Sequence, residues 1–442
     1  MIRFLLQVGY NVAFFAAVLV SWPYWAYRLW KRGHWWRDIE QRIGIYKGIK
    51  QRLPHGCDIW IHAVSVGEVM LASVLIQRLR EQNPHLTIVL STTTITGQRV
   101  ARKLEDERTI IVFNPADFLW SVRHAFETFR PRRLIMVEAE IWPNYIWCAK
   151  RRGIRIYLVN ARLSKRSEER FRLLRWITRP VMEEVDLIFA QNDEDVARLT
   201  RAGFSSEAIF NVGSMKYDVA DMPGAAPAEI DAWWSLLGWD KNAPILLGGS
   251  THSGEEEILA KIYLELREQY PALRLVLAPR HAERGKAIYE KCLDLGLKVV
   301  LRGELEAPLS NGSTPEAVVV NSTGELKSLY PKATLVFVGK SLRGSGGQNF
   351  IEAARLGAPI LVGPNMQNFP QQTHEFVRRG GLVQVNDELE LAQKIRELLG
   401  SEAQRTELSA RALQTFRDNL GAGRTTAKMI LASIDQDKSK KK

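Results

Sequence analysis

The chain has 442 residues, more than one ordinary core accommodates, so two domains are expected. A composition of 46% hydrophobic and 25% charged residues excludes a disordered or fibrous chain, and Cys57, Cys148 and Cys292 are too few and too scattered for a disulfide framework. The net charge of +12 favours anionic partners, namely nucleic acid, acidic lipid or a phosphorylated substrate.

The first element is "FLLQVGYNVAFFAAVLVSWPYWAY", residues 4–27, which carries no charge. As a helix it would reach roughly 36 Å, enough to cross a hydrocarbon core. Trp22, Tyr24, Trp25, Tyr27 and Trp30 gather at its end, followed by Arg28, Lys31, Arg32 and Arg37, the pattern of an interfacial belt with a cytoplasmic basic flank. The basic flank follows the apolar run, which argues against a cleaved signal peptide. Residues 1–30 therefore read as a single membrane anchor, although Pro23, Gln7 and Asn11 leave open whether it spans the bilayer or lies in the interface.

Residues 31–217 alternate short apolar runs with helix-like stretches. "DIWIHAVS" (58–65), "LTIVLSTTT" (86–94), "TIIVFNP" (109–115), "RLIMVEAE" (133–140), "RIYLVNA" (155–161) and "DLIFAQN" (186–192) are apolar throughout, as strands of a parallel sheet covered on both faces are. Right-handed crossovers then predict a doubly wound α/β domain. A Pro- and Ala-rich stretch at 218–240 reads as a linker. The grammar restarts over 241–425 with "PILLGGS" (244–250), "LRLVLAPR" (273–280), "LKVVLRG" (297–303), "AVVVNST" (317–323), "ATLVFVGKS" (333–341), "APILVGP" (358–364) and "GLVQV" (381–385). Residues 426–442 end in "KSKKK" and read as a disordered basic tail. Two Rossmann-like domains with a cleft between them are expected, with ligands outside the carboxyl ends of the strands.

Polar residues gather at those ends. Glu68 follows "HAVSVG" and is either a favourable charge at a helix start or a catalytic base. Glu138, Ala139 and Glu140 close one strand, and Asn160, Ala161 and Arg162 another. In the second half, "GKSLRGSGGQNFIEAARLGAPILVGP" (339–364) carries Gly344, Gly346 and Gly347 ahead of a helix expected to begin at Asn349. Its amides and helix dipole would suit a phosphate and Glu352 a ribose, or the run is a tight turn before an ordinary acid. Arg280 after Pro279 either grips a phosphate or is a surface charge, and Lys216 either serves the cleft or is solvated. The acids of Asp193-Glu194-Asp195 and Asp435-Gln436-Asp437 read as structural, and the histidines form no H-x-x-x-H pair, so no metal is expected.

Taken together, "HAVSVGE", "EAEIWPN", "NARLSKRS", "GSMKYD", "APRH", "TGEL", "GGQNFIEAA" and "GPNMQNF" closely resemble, in order and over nearly the whole chain, the bacterial 3-deoxy-D-manno-octulosonic acid (Kdo) transferases. Lys340 and Ala353 depart from that pattern, where glycine and proline are usual. The resemblance implies a GT-B glycosyltransferase that moves Kdo from CMP-Kdo to the tetraacyl, bisphosphorylated disaccharide precursor of lipid A, with inversion and without a metal. It implies Glu68 as general base, Glu138 and Lys216 as stabilisers of the transition state, and Pro279, Arg280, Gly324, Glu325, Leu326, Asn349, Phe350, Ile351 and Glu352 as CMP contacts. It places the enzyme on the cytoplasmic side of the inner membrane, where basic segments such as 31–42 and 162–175 would meet anionic lipid. Two alternatives stand beside it. A GT-B enzyme using a UDP-sugar would need contacts to a second phosphate. A membrane-tethered nucleic-acid-binding protein would explain the charge but leaves the carboxylates unused, and no nucleic-acid motif occurs.

Overall fold

Strands without polar alternation are stable only when helices cover both faces of their sheet, and the chain folds accordingly. The computed structural model describes residues 2–32, 36–138, 141–222, 230–305 and 314–439. Two compact units result, one made of Met1–Val219 with Leu420–Lys442, the other of Ala220–Asn419.

In the first unit, β1 (Ile59–Ala63), β2 (Ile88–Thr92), β3 (Thr109–Phe113), β4 (Arg133–Val137), β5 (Arg155–Ala161), β6 (Leu187–Ala190) and β7 (Ile209–Asn211) form a sheet in the order β3-β2-β1-β4-β5-β6-β7. All pairings are parallel, and every residue of β1 to β4 is buried. Trp60 of β1 packs against Phe126, Phe129 and Tyr145 from the helices on one face. The second unit has β8 (Ile245–Thr251), β9 (Arg274–Pro279), β10 (Val299–Leu301), β11 (Ala317–Val319), β12 (Leu335–Val338), β13 (Ile360–Val362) and β14 (Val383–Gln384), in the order β10-β11-β9-β8-β12-β13-β14. In each sheet the chain starts inside, fills one side and then the other; in the second, β10 takes the edge and β11 is inserted between β10 and β9. The reversal puts β1 beside β4 and β8 beside β12, and a crevice opens at the carboxyl ends of strands related in this way.

The amino-terminal helix Ile2–Arg32 includes a segment, Phe4–Tyr24, long and apolar enough to cross a membrane. Gln7, Tyr10 and Asn11, which interrupt its apolar pattern, are docking contacts, whereas the Ser21 hydroxyl donates to carbonyls of its own helix. Asn11 and Asn144 exchange side-chain hydrogen bonds of 3.1 and 3.0 Å, Gln7 bonds Asn144 and Arg151, and the Tyr10 hydroxyl donates to Asp117 Oδ2 at 2.6 Å. Phe14 meets Phe118 edge-on, so positions 7, 10, 11 and 14 form one helical face on the first unit. Phe4, Leu5, Val12, Phe15, Leu19, Val20, Trp22 and Tyr24 are left exposed on the rest of the helix.

Burial pushes the Asp117 carboxyl up to about 7 against the lowering effect of the Tyr10 and Asn144 bonds. A folded value above the unfolded one means that the folded chain binds the extra proton. The resulting stabilisation is complete below about pH 4 and is lost as pH rises through about 7, an effect on the order of 4 kcal/mol at most. Thermal unfolding of the full chain from pH 5 to pH 8 should show a falling midpoint, flattened in Asp117→Asn; parallel curves for the two proteins would show that Asp117 is not the source.

The chain crosses between the units differently from the sequence reading. Residues 223–229 lie outside the described residues, but Lys216–Asp221 is helical, and Ile230–Leu237 is a helix that buries Ile230, Trp233, Trp234 and Leu237 in the second unit. The expected linker 218–240 is thus largely structured, because its Trp-rich end supplies an apolar helical face. The second unit ends at Asn419 rather than 425, and residues 426–439 of the expected tail are helical. A helix, Ala422–Ser439, packs on the helix Val66–Gln82 of the first unit and buries Ala422, Thr426, Ala427, Ile430 and Ser433, the last in a 2.6 Å hydrogen bond with the Tyr157 hydroxyl of β5. Buried Asp218 accepts the Gly421 and Gly423 amides at 3.2 and 3.3 Å where this helix begins, and a Cβ at Gly423 would come within 2.8 Å of Val74. Of the lysine run, residues 440–442 lie outside the described residues.

Candidate active site

In the first unit, β1 ends at Ala63 and the helix Val66–Gln82 begins with Ser65 as its N-cap. Glu68 takes the third helical position. Its Oε2 accepts the Val64 amide at 2.8 Å, its Oε1 accepts the Ser65 hydroxyl at 2.9 Å, and its own amide reaches Ser65 Oγ at 3.5 Å. This is a capping box displaced by one residue, so Glu68 does serve the helix start. The same bonds fix a carboxylate, 8% exposed, at the β1 edge of the crevice. The two donors hold the carboxyl group in one orientation, as a general base needs.

Two neighbouring strand ends are strained. Glu138 after β4 and Asn160 in β5 have φ of 60° and 52°, in the left-handed region that non-glycine residues rarely adopt. Glu138 is held there by its amide bond to the Val159 carbonyl (2.9 Å), and Asn160 by accepting the Met215 amide on Oδ1 at 2.9 Å. Such outliers collect at functional sites. Glu138 lies 3.5 Å from the Arg162 guanidinium. Lys216 opens a short helix after fully buried Met215. Desolvation and the Arg162 charge hold its ammonium down to about 8, while Glu138 and Asp195 pull it back up. Glu138 and Lys216 therefore belong to one charged cluster, with Arg162 and Asp195 as members that sequence reasoning did not place there. Asp195 was read as a helix-start charge; Asn192 is the cap, and the Asp195 carboxylate instead accepts the Leu163 amide at 3.3 Å. Glu140 lies outside the described residues.

In the second unit, the segments expected to hold CMP converge on the ends of β8, β9 and β12. Ser250 has φ of 52° at a register break between Gly249 and Thr251, and the Arg280 amide donates to the Thr251 carbonyl at 3.0 Å. The Arg280 side chain is exposed and has no ion pair among the described residues. Gly324 (φ 95°) has open space where a Cβ would stand, and Leu326 and Tyr330 close over Gly249. Glu325 is occupied by Ser322 and by Arg302 at 3.3 Å, and Arg302 stacks on Trp233 with its guanidinium carbon 4.0 Å from the ring centre. Glu352 is half-buried and bonded by the Asn349 side chain at 3.4 Å.

The glycine loop differs from the expectation. The helix after it is Ile351–Arg355, five residues and too short for a useful dipole, and Asn349 Oδ1 already accepts the Ile351 amide. The side chains of Phe350 and Ile351 are fully buried, Phe350 against Phe369 and Phe376, so they can offer a ligand only backbone. The amides of Gly346, Gly347 and Gln348 are taken by Gln367, Lys340 and Gly339, whereas those of Gly344, Ser345 and Asn349 have no acceptor among the described residues. His252, edge-on to His281 at 5.9 Å and bonded to Gln348 at 3.2 Å, lines the same strand ends and was not anticipated. No group of three metal-ligating side chains occurs among the described residues.

Residues 37–219 match a family model described as 3-deoxy-D-manno-octulosonic-acid transferase. A 3-deoxy-D-manno-octulosonic acid transferase of Haemophilus influenzae is 31% identical over 385 residues, 87% of this chain and 88% of that protein. One from Bordetella pertussis is 29% identical over 412 residues, 91% and 94% of the two chains. Among solved structures, UDP-GlcNAc 2-epimerase from Neisseria meningitidis bound to UDP-GlcNAc has a TM-score of 0.59 at 14% identity, over 86% of this chain and 100% of that one, a likeness of fold alone. With two Rossmann-like units of the GT-B class, the chain belongs to the 3-deoxy-D-manno-octulosonic acid transferases, glycosyltransferases of lipopolysaccharide biosynthesis.

Proposed function

We propose that this chain transfers Kdo from CMP-Kdo to a hydroxyl of the tetraacyl disaccharide bisphosphate precursor of lipid A, inverting the anomeric carbon and releasing CMP. The observation that carries the reading is Glu68, a carboxyl group clamped by Val64 and Ser65 at a topological switch point. A sugar hydroxyl is a weak nucleophile, and a carboxylate within reach takes its proton as the bond to Kdo forms. The ammonium of Lys216, buffered by Glu138, would meet charge that develops in the transition state. Pro279, Arg280, Gly324 and the amides of Gly344, Ser345 and Asn349 would hold the CMP moiety, with Glu352 for the ribose. CMP leaves with a single phosphate, whose charge Arg280 and those amides can take without a metal ion.

The exposed apolar positions of Ile2–Arg32 suit a single inner-membrane anchor with the remaining chain on the cytoplasmic side. Leu173 and Trp176, 79% and 74% exposed among Arg170, Arg172, Arg175 and Arg179, suit contact with anionic headgroups. These features point to a lipid surface rather than to nucleic acid. Titration of the full chain with CMP and with UDP tests the donor reading. CMP should bind about tenfold or more tightly; preference for UDP would return the UDP-sugar alternative.

A further inference from the structure

We propose that Glu255 is a positioning residue: its buried carboxylate is the internal anion around which backbone 340–343 folds, and it thereby decides which amides of the glycine loop remain for the donor. The inference rests on the reading of that loop as the CMP site.

Glu255 opens the helix Glu255–Leu266 and is 0% exposed. A buried carboxylate costs several kcal/mol unless it is paired or heavily hydrogen-bonded. Its neighbours have cations, Glu256 with Arg284 and Glu257 with Lys291, but no cation among the described residues pairs with Glu255. Backbone takes that place. Oε2 accepts the amides of His252 (2.8 Å) and Lys340 (2.7 Å); Oε1 accepts those of Ser341 (3.1 Å), Leu342 (3.0 Å) and Arg343 (3.1 Å). Successive amides converging on one anion are the geometry by which glycine-rich loops cradle phosphate. Here a side chain fills the cradle, so a phosphate must be met farther along, at Gly344, Ser345 and Asn349.

The carboxylate also joins the two strands of the switch point, since His252 follows β8 and Lys340 follows β12. The junction has no slack: a Cβ at Gly339 would lie 2.4 Å from Thr251 Cα and 2.7 Å from Glu255 Oε2. Ser341 extends the lock by accepting the Gly363 amide at 2.9 Å. Lys340 has φ of 56°, a left-handed conformation that a residue with a Cβ adopts only at a cost. The bond from its amide to Glu255 helps hold that turn, which lays the Lys340 side chain alongside Gly344, within 3.7 Å of where a Cβ there would stand. Loss of the Glu255 charge should therefore disturb the loop and misplace the Lys340 ammonium together.

The test uses full-length Glu255→Ala and Glu255→Gln, with CMP titration and amide hydrogen exchange over 340–343. Both variants should lose about tenfold or more in CMP affinity, and the 340–343 amides should exchange faster. Sodium formate should restore affinity and protection in Glu255→Ala, because formate re-enters the emptied cradle, and sodium chloride at equal ionic strength should not. Glu255→Gln should not respond, since its carboxamide still fills the space and points a donor at donors. CMP affinity within about twofold of wild type in both variants, or a loss in Glu255→Ala that formate does not relieve, overturns the proposal. Failure of the wild type to bind CMP refutes the donor reading instead, and formate-dependent protection of 340–343 then still decides the role of Glu255.

Discussion

Glu68→Gln is expected to lower kcat/KM for transfer by about 10²- to 10⁴-fold, the usual worth of a positioned general base, with CMP affinity unchanged. The capping role complicates this substitution. A carboxamide cannot accept from both the Val64 amide and the Ser65 hydroxyl, so the helix start should also lose about 1 kcal/mol. Ser65→Ala separates the two effects. It removes the cap and the Ser65 bond but keeps the carboxylate, so it should cost similar stability and far less activity. Equal activity losses in the two variants would reduce Glu68 to a helix-start charge.

Lys216→Met should cost about 10²- to 10³-fold in kcat while making the protein more stable at neutral pH. The sign follows from the direction of its shift. The folded chain holds this ammonium down to about 8, below the unfolded value, so the charged form is disfavoured by the fold. That cost, on the order of 3 kcal/mol at most, is present below pH 8 and is relieved as pH rises toward the unfolded value of about 10.4. A methionine removes it at pH 7, as urea unfolding would register. The cation itself should be visible in wild-type kinetics as an alkaline limb near pH 8, and Lys216→Arg should move that limb upward. A flat profile through pH 9, or Lys216→Met with wild-type kcat, would remove the ammonium from the transition state.

Legibility followed the physics of each element. Runs such as "IWIHA" and "LRLVLAP" announced buried parallel strands because nothing else accommodates them, and strand ends drew attention to Glu68, Glu138 and Arg280. β7 gave no such signal, since Ile209–Asn211 is three residues long and only Ile209 is buried. The final helix was masked by lysines; its apolar positions are mostly alanine and threonine, which carry little hydropathy although they pack. The glycine loop was found but misassigned in detail. Composition cannot tell an amide free for phosphate from one that a carboxylate some 85 residues earlier already holds, as Glu255 holds Lys340. The acids after Gly254 were a usable signal, because three carboxylates at a helix start exceed what capping needs.

The central claim is tested most directly by incubating the full chain with CMP-Kdo, the tetraacyl disaccharide bisphosphate and EDTA, and following CMP release with the mass and anomeric configuration of the lipid product. The account predicts one CMP released per Kdo added, product formation undiminished by the chelator, and an inverted anomeric centre. No Kdo-bearing lipid from CMP-Kdo, or activity that requires an added divalent cation, would contradict it.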